Sequence, residues 1–141
     1  MALIIGIDPG VRTGLAVWET TTRQFLDVRC SGIVDAMDYL RELQSQRQIG
    51  CVVFEDARKR KWIPRERDLA QMKGRAMGAG SVRRDSAIWE EWCEHYKIDH
   101  IAVPPRSGLT KWTDDYFRRV TGYDRRTNEH GRDAAMLVFQ R

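Results

Sequence analysis

The sequence predicts an α/β fold on a mixed five-stranded sheet, three antiparallel strands followed by two parallel ones, with helices on both faces. Two observations carry this expectation. The first 31 residues hold three short apolar or alternating runs joined by tight turns, the signature of hairpins or a meander. Two further apolar runs, Cys51–Phe54 and Ile98–Val103, each follow a stretch of helical periodicity, so helices connect them to the sheet. With 141 residues, the chain fits one domain (1–141) with a single core.

The elements follow in order. Leu3–Asp8 is an apolar strand ended by the turn Asp8-Pro9-Gly10. Thr13–Trp18 and Phe25–Ser31 are the next two strands, and their short connections favour antiparallel pairing. Between Asp35 and Gln48 the apolar residues Ala36, Met37, Tyr39, Leu40 and Leu43 recur at helical spacing, and Gly50 is expected to stop the helix. Cys51–Phe54 is apolar throughout, as in a strand buried on both faces. Asp68–Tyr96 is the longest helical stretch. Its small residues with Trp89 and Trp92 suit either a dimer face or packing within one chain. A fifth strand, Ile98–Val103, is closed by Pro104-Pro105. Helices are expected over Trp112–Val120 and about Asn128–Phe139.

The composition is that of an ordinary globular protein, with 42% hydrophobic and 31% charged residues. No apolar run approaches the ~18 residues needed to span a bilayer, and the opening Met1-Ala2-Leu3-Ile4-Ile5 lacks the pattern of a signal peptide. A cytoplasmic protein without membrane contact is the expectation. Cys30, Cys51 and Cys93 are far apart and form no CxxC pair, so reduced thiols are expected rather than zinc ligands or a disulfide framework. The net charge of +4 leans towards a polyanionic partner. Its distribution says more: Arg58, Lys59, Arg60, Lys61, Arg65 and Arg67 stand against one acid, Glu66. A second cluster holds Arg118, Arg119, Arg125 and Arg126.

Three acids fall at element ends. Asp8 ends the first strand, Glu55 ends the buried fourth strand with Asp56 after it, and Asp133 lies early in the last helix, three residues after His130. Neighbouring strands lie ~4.8 Å apart, so carboxylates at adjacent strand ends can share a divalent ion. His130 and Asp133, at i and i+3, project from one helical face. Close carboxylates repel one another and raise some of their pKa values. Bound Mg²⁺ or Mn²⁺ removes that conflict, and two such ions ~3.5–4 Å apart activate water and stabilise the leaving oxygen in phosphodiester cleavage. Each residue alone also has an ordinary reading: Asp8 in a common turn, Glu55-Asp56 as a solvated strand end, Asp133 as a helix-start charge, His130 as a surface histidine. Their joint placement points to a metal-dependent nuclease.

In this order the segments resemble the RuvC-type Holliday-junction resolvases, especially the short phage and prophage members. The resemblance rests on Gly6-Ile7-Asp8-Pro9-Gly10 with Thr13-Gly14-Leu15-Ala16-Val17, on Val53-Phe54-Glu55, on Gly74-Arg75-Ala76, and on Glu129-His130-Gly131-Arg132-Asp133-Ala134-Ala135-Met136-Leu137. It implies an RNase H-like fold, a homodimer, and Mg²⁺-dependent paired nicking of four-way DNA junctions. Asp8, Glu55 and Asp133 match the family's metal-binding acids. Many members carry an acid where His130 stands and some a histidine, which ligates a metal or orients the water; imidazole suits Mn²⁺ better than Mg²⁺. Lys111 lies near a lysine the family places close to the scissile phosphate. The basic loop Arg58–Arg67 follows Glu55, where the family has a junction-contacting loop with an aromatic residue. Trp62 matches that aromatic and can stack on unpaired bases or fold back onto the core.

Three other readings compete. A nuclease of the same fold cutting flaps or structured RNA, such as the YqgF-type enzymes, shares the metal chemistry and differs in substrate. A kinase or ATPase of the actin-like class shares the opening hairpin but needs a second phosphate motif and an adenosine-binding segment, neither of which is seen. A catalytically inactive binding module suits the basic surface and leaves Asp8, Glu55 and Asp133 unexplained.

Overall fold

The computed structural model describes residues 2–59, 69–105 and 111–141, with residues 69–79 described by their backbone alone. Strands β1 (Leu3–Asp8), β2 (Thr13–Glu19) and β3 (Gln24–Ser31) form an antiparallel meander. Helix α1 (Ile33–Gln46) leads to β4 (Ile49–Glu55), and α2 (Leu69–His95) leads to β5 (His100–Val103). A short 3-10 turn at Ala57–Lys59 follows β4. Helices α3 (Asp114–Thr121) and α4 (Glu129–Val138) end the chain. The sheet order is β3-β2-β1-β4-β5, with β4 parallel to both β1 and β5. The five-stranded mixed sheet expected from the sequence is what forms.

The alternation of side chains along the strands divides the core between two faces. Leu3, Ile5, Ile7, Leu15, Val17, Val52 and Phe54 pack with α1 and α2 on one face. Ile4, Ala16, Trp18, Phe25, Val28 and Val53 pack with α3 and α4 on the other. The apolar stretch of β4 fits its place between β1 and β5: Val52, Val53 and Phe54 are all fully buried. Trp89 and Trp92 meet edge to face, with centroids 5.5 Å apart, inside the α1/α2 core. Of the two roles open to them, packing within the chain is the one they fill. The three cysteines are free thiols, with Cys93 buried.

Element ends show where local chemistry outweighs periodicity. Helix α1 stops at Gln46, and Arg47, extended, closes it through its backbone N–H to the Leu43 carbonyl. Gly50 therefore does not end the helix. It lies inside β4, where a Cβ would come within 2.8 Å of the Ala2 Cβ, so its value is close approach to the chain start. Helix α3 is bounded by Thr113, whose hydroxyl accepts from the Tyr116 N–H, and by Gly122 at φ 74°. Asn128 caps α4 by accepting from the Gly131 N–H. No helix among the described residues is long and apolar enough to cross a membrane.

Candidate active site

One rim of the sheet collects the chemistry. Asp8 pairs with Gly14 across β1 and β2, Thr13 with Ser31 across β2 and β3, and Glu55 with Val103 across β4 and β5. Ile7 pairs with Phe54, so Asp8 and Glu55 occupy the next positions on adjacent parallel strands. By alternation Asp8 follows Ile4 and Gly6, and Glu55 follows Val53, so both acids belong to the face covered by α4.

Helix α4 reaches that rim because glycines stand beneath it where it comes closest to β1 and β2. A Cβ on Gly6 would stand 2.1 Å from the Ala134 carbonyl oxygen, and one on Gly14 would stand 1.9 Å from that of His130. In return, Gly131 lets α4 lie against Val28 and Arg29 of β3, where a Cβ would meet atoms at 3.0 and 3.2 Å. Gly131, Ala134, Ala135 and Val138 make the inward stripe at i, i+3, i+4 and i+7. This contact between small residues sets the height of α4 above the sheet, and with it the positions of His130 and Asp133.

The polar groups at the rim are arranged as pairs. His130 Nδ1 lies 3.3 Å from Asp8 Oδ2, where an Nδ1–H would donate to the carboxylate. Lys111 Nζ donates to Asp133 Oδ2 at 3.3 Å and also to Glu129 Oε1. Burial lifts the Asp8 carboxyl above its usual range and the Asp133 charge adds to the rise, while His130 and Lys111 act against it. Lys111 has its ammonium form favoured by Glu129 first and Asp133 second, and it holds the Glu129 carboxyl low in turn. Among the described residues no three of His, Cys, Asp and Glu stand close enough to cage an ion. The single metal-sharing cluster expected of Asp8, Glu55 and Asp133 is thus not what the side chains form here. Close carboxylates repel, and Asp8 and Asp133 have each taken a nitrogen donor as neighbour.

The chain leaving Glu55 is held tightly. Ser86 Oγ lies 3.3 Å from the Glu55 carbonyl and accepts from the Ala57 N–H. Asp56, 2% exposed, takes two bonds from the Arg58 guanidinium at 2.9 and 2.8 Å and one from the Arg58 backbone. Arg58 also donates to Glu90 at 3.0 Å, and Lys59 Nζ donates to the Ala102 carbonyl. Both cations, read from the sequence as DNA contacts, here tie the start of the basic loop to α2 and β5. Arg60, Lys61, Trp62, Arg65 and Arg67 lie outside the described residues.

Several contributors were given no part in the site by the sequence. Asp56 anchors the loop, and Glu129 shares Lys111 with Asp133. Arg132, partly buried on α4, donates to the carbonyls of Trp112 and Thr127 and so holds the segment after Lys111. The acid following Glu55 was a visible signal; Ser86 gave none.

No family model matches the chain, and no curated protein sequence does. Solved structures do. The Thermus thermophilus RuvC structure aligns at a TM-score of 0.59 with 14% identity, over 98% of this chain and 92% of that one. T. thermophilus RuvC in complex with Holliday junction substrate aligns at 0.58 with 17% identity, over 98% and 91%. The fold is that of RuvC. At these identities the likeness concerns architecture: the RuvC-type sheet and its helices extend over nearly the whole chain, with the Asp8 rim at one end.

Proposed function

We propose that the chain is a metal-dependent endonuclease for branched DNA, specifically a resolvase that nicks four-way junctions in pairs as a homodimer. The observation that carries this reading is the convergence of Asp8, Glu55 and α4 at one rim, where partial burial first, and the Asp133 charge after it, raise the pKa of Asp8. A phosphodiester-cleaving site needs carboxylates at one place, and those of Asp8, Glu55 and Asp133 stand on one rim, where a dication would offset their mutual repulsion and draw them together. That a similar structure was solved with a Holliday junction substrate supports the choice of branched DNA. Paired nicks on a two-fold substrate call for two symmetric sites, which is the reason for a homodimer.

The donor set suits Mg²⁺, with Mn²⁺ in its place: hard carboxylate oxygens from Asp8, Glu55 and Asp133 and one imidazole from His130. Bound there, the metal would lower the pKa of water and stabilise charge on the leaving oxygen. The chain's own residues do the positioning. Asp8 is fixed by the α4 contact, His130 orients it from the first turn of α4, and Lys111 holds an ammonium beside Asp133 where a phosphate oxygen can be paired.

The test offers the purified protein a four-way DNA junction, a flap, linear duplex and an RNA–DNA hybrid, each with Mg²⁺. Symmetric nicks in the junction are expected. Cleavage of flaps or hybrids with the junction spared would assign the site to another substrate.

A further inference from the structure

The basic cluster on the last turn of α3 and just after it has no role in the site described above. Arg119, Arg125 and Arg126 are exposed, and among the described residues no carboxylate pairs with them, whereas Arg118 is paired with Asp114 at 3.3 Å. Only Asp124 offsets the four arginines between positions 118 and 126. Their segment lies on a definite side of the sheet. The Tyr123 hydroxyl accepts from the Val28 N–H of β3 at 3.2 Å, and the Arg125 guanidinium is near enough to lower that hydroxyl's pKa against its burial. Gly131, one turn into α4, lies against Val28 and Arg29 of the same strand.

The segment after β4 lies on the opposite side. Asp56 N–H donates to the Val103 carbonyl and Lys59 to that of Ala102, both in β5. Asp8, on the central strand β1, stands between the two. From β3 to β5 the rim spans four strand spacings, about 19 Å. Duplex DNA carries one negative charge per ~1.7 Å of axis, so a duplex laid across the rim meets cations on both sides of the carboxylates. The N-terminus of α4, whose cap Asn128 stands two positions after Arg126, adds the positive end of its dipole on the β3 side.

We propose that the turn joining α3 to α4, through Arg125 and Arg126 with Arg119 on the last turn of α3, holds backbone phosphates of a DNA arm on the β3 side of the site. This rests on the nuclease reading and adds to it the direction in which DNA crosses the rim. The contacts are to phosphates, so they strengthen binding without reading sequence.

The experiment measures binding of a labelled four-way junction by fluorescence anisotropy in EDTA, across a salt series. It compares the native chain, Arg126→Ala, Arg125→Ala/Arg126→Ala and the control Arg23→Gln/Lys97→Gln. The control removes two exposed cations at the opposite rim, where both residues already have φ 55°. Each lost phosphate contact should reduce the slope of log K against log salt by about one. The slope should therefore fall by about one in the single variant and about two in the double, with the control unchanged. Equal slopes in all four proteins would overturn the proposal, as would an equal fall in the control, which would mark a net-charge effect. A native chain that binds no junction at low salt would overturn it as well. Cleavage judges the nuclease reading separately. Metal-dependent nicking with unchanged slopes removes only this surface, and a reduced slope without nicking removes only the nuclease.

Discussion

Gly14→Ala isolates the contact that sets the site. In a strand this exchange normally stabilises by about 0.4–1 kcal/mol, because alanine has less freedom to lose on folding. Here the new Cβ would lie 1.9 Å from the His130 carbonyl oxygen, and real Cβ atoms keep at least 3.0 Å. Helix α4 must therefore retreat by more than 1 Å, and backbone cannot swing aside as a flexible side chain does. Overpacking of this kind costs about 1–3 kcal/mol, so the sign of the ordinary effect reverses. At roughly 2–4 °C per kcal/mol for a chain near this size, the melting temperature should fall by about 2–12 °C. The same movement carries His130 and Asp133 away from Asp8, and a 1 Å misplacement can cost about 10²-fold in rate. Differential scanning calorimetry and single-turnover cleavage of a junction read the two effects. An alanine variant as stable and as active as the native chain would refute the idea that bare strands seat the helix.

Other perturbations follow from the same structure. Asp56→Asn should lower stability at neutral pH by about 1–2 kcal/mol, by weakening the paired bonds to half-exposed Arg58. Arg58 holds the Asp56 carboxyl below its usual range, so this stabilisation is complete above the unfolded-chain value of about 3.9. It is lost as pH falls through the lower folded value, so the two melting curves should converge in acid. Arg132→Ala should cost about 1.5–3 kcal/mol in urea denaturation, because it strips donors from the carbonyls of Trp112 and Thr127. Asp8→Asn in EDTA should raise the melting temperature, since burial and Asp133 both disfavour the ionised carboxylate in the folded state. In the native chain, but not in Asp8→Asn, added Mg²⁺ should raise the melting temperature through binding to the folded form.

Much of this arrangement was legible in the sequence because strand and helix periods are local. The meander over residues 3–31, the doubly buried β4 and the placement of Asp8 and Glu55 at strand ends all follow from runs of a few residues. Long-range fit was not legible. Gly6 and Gly14 were visible only as letters of the opening motif, yet their function depends on a helix more than a hundred residues away. Gly50 looked like a helix stop because its partner, Ala2, is distant in sequence. Asp56 looked like a solvated neighbour of Glu55, and only the folded chain shows it buried under Arg58. Arg58 and Lys59 were grouped with the basic loop by charge alone, and only the folded chain shows that they also reach Glu90 of α2 and the Ala102 carbonyl of β5.

The most direct measurement is gel cleavage of a synthetic four-way junction by the native chain and by Asp8→Asn, each in Mg²⁺ and in EDTA. Symmetric nicks in the native chain with Mg²⁺, lost both in EDTA and in Asp8→Asn, are the expected result. Tight junction binding with no nicking under any condition would contradict it and leave a DNA-binding module built on a nuclease fold.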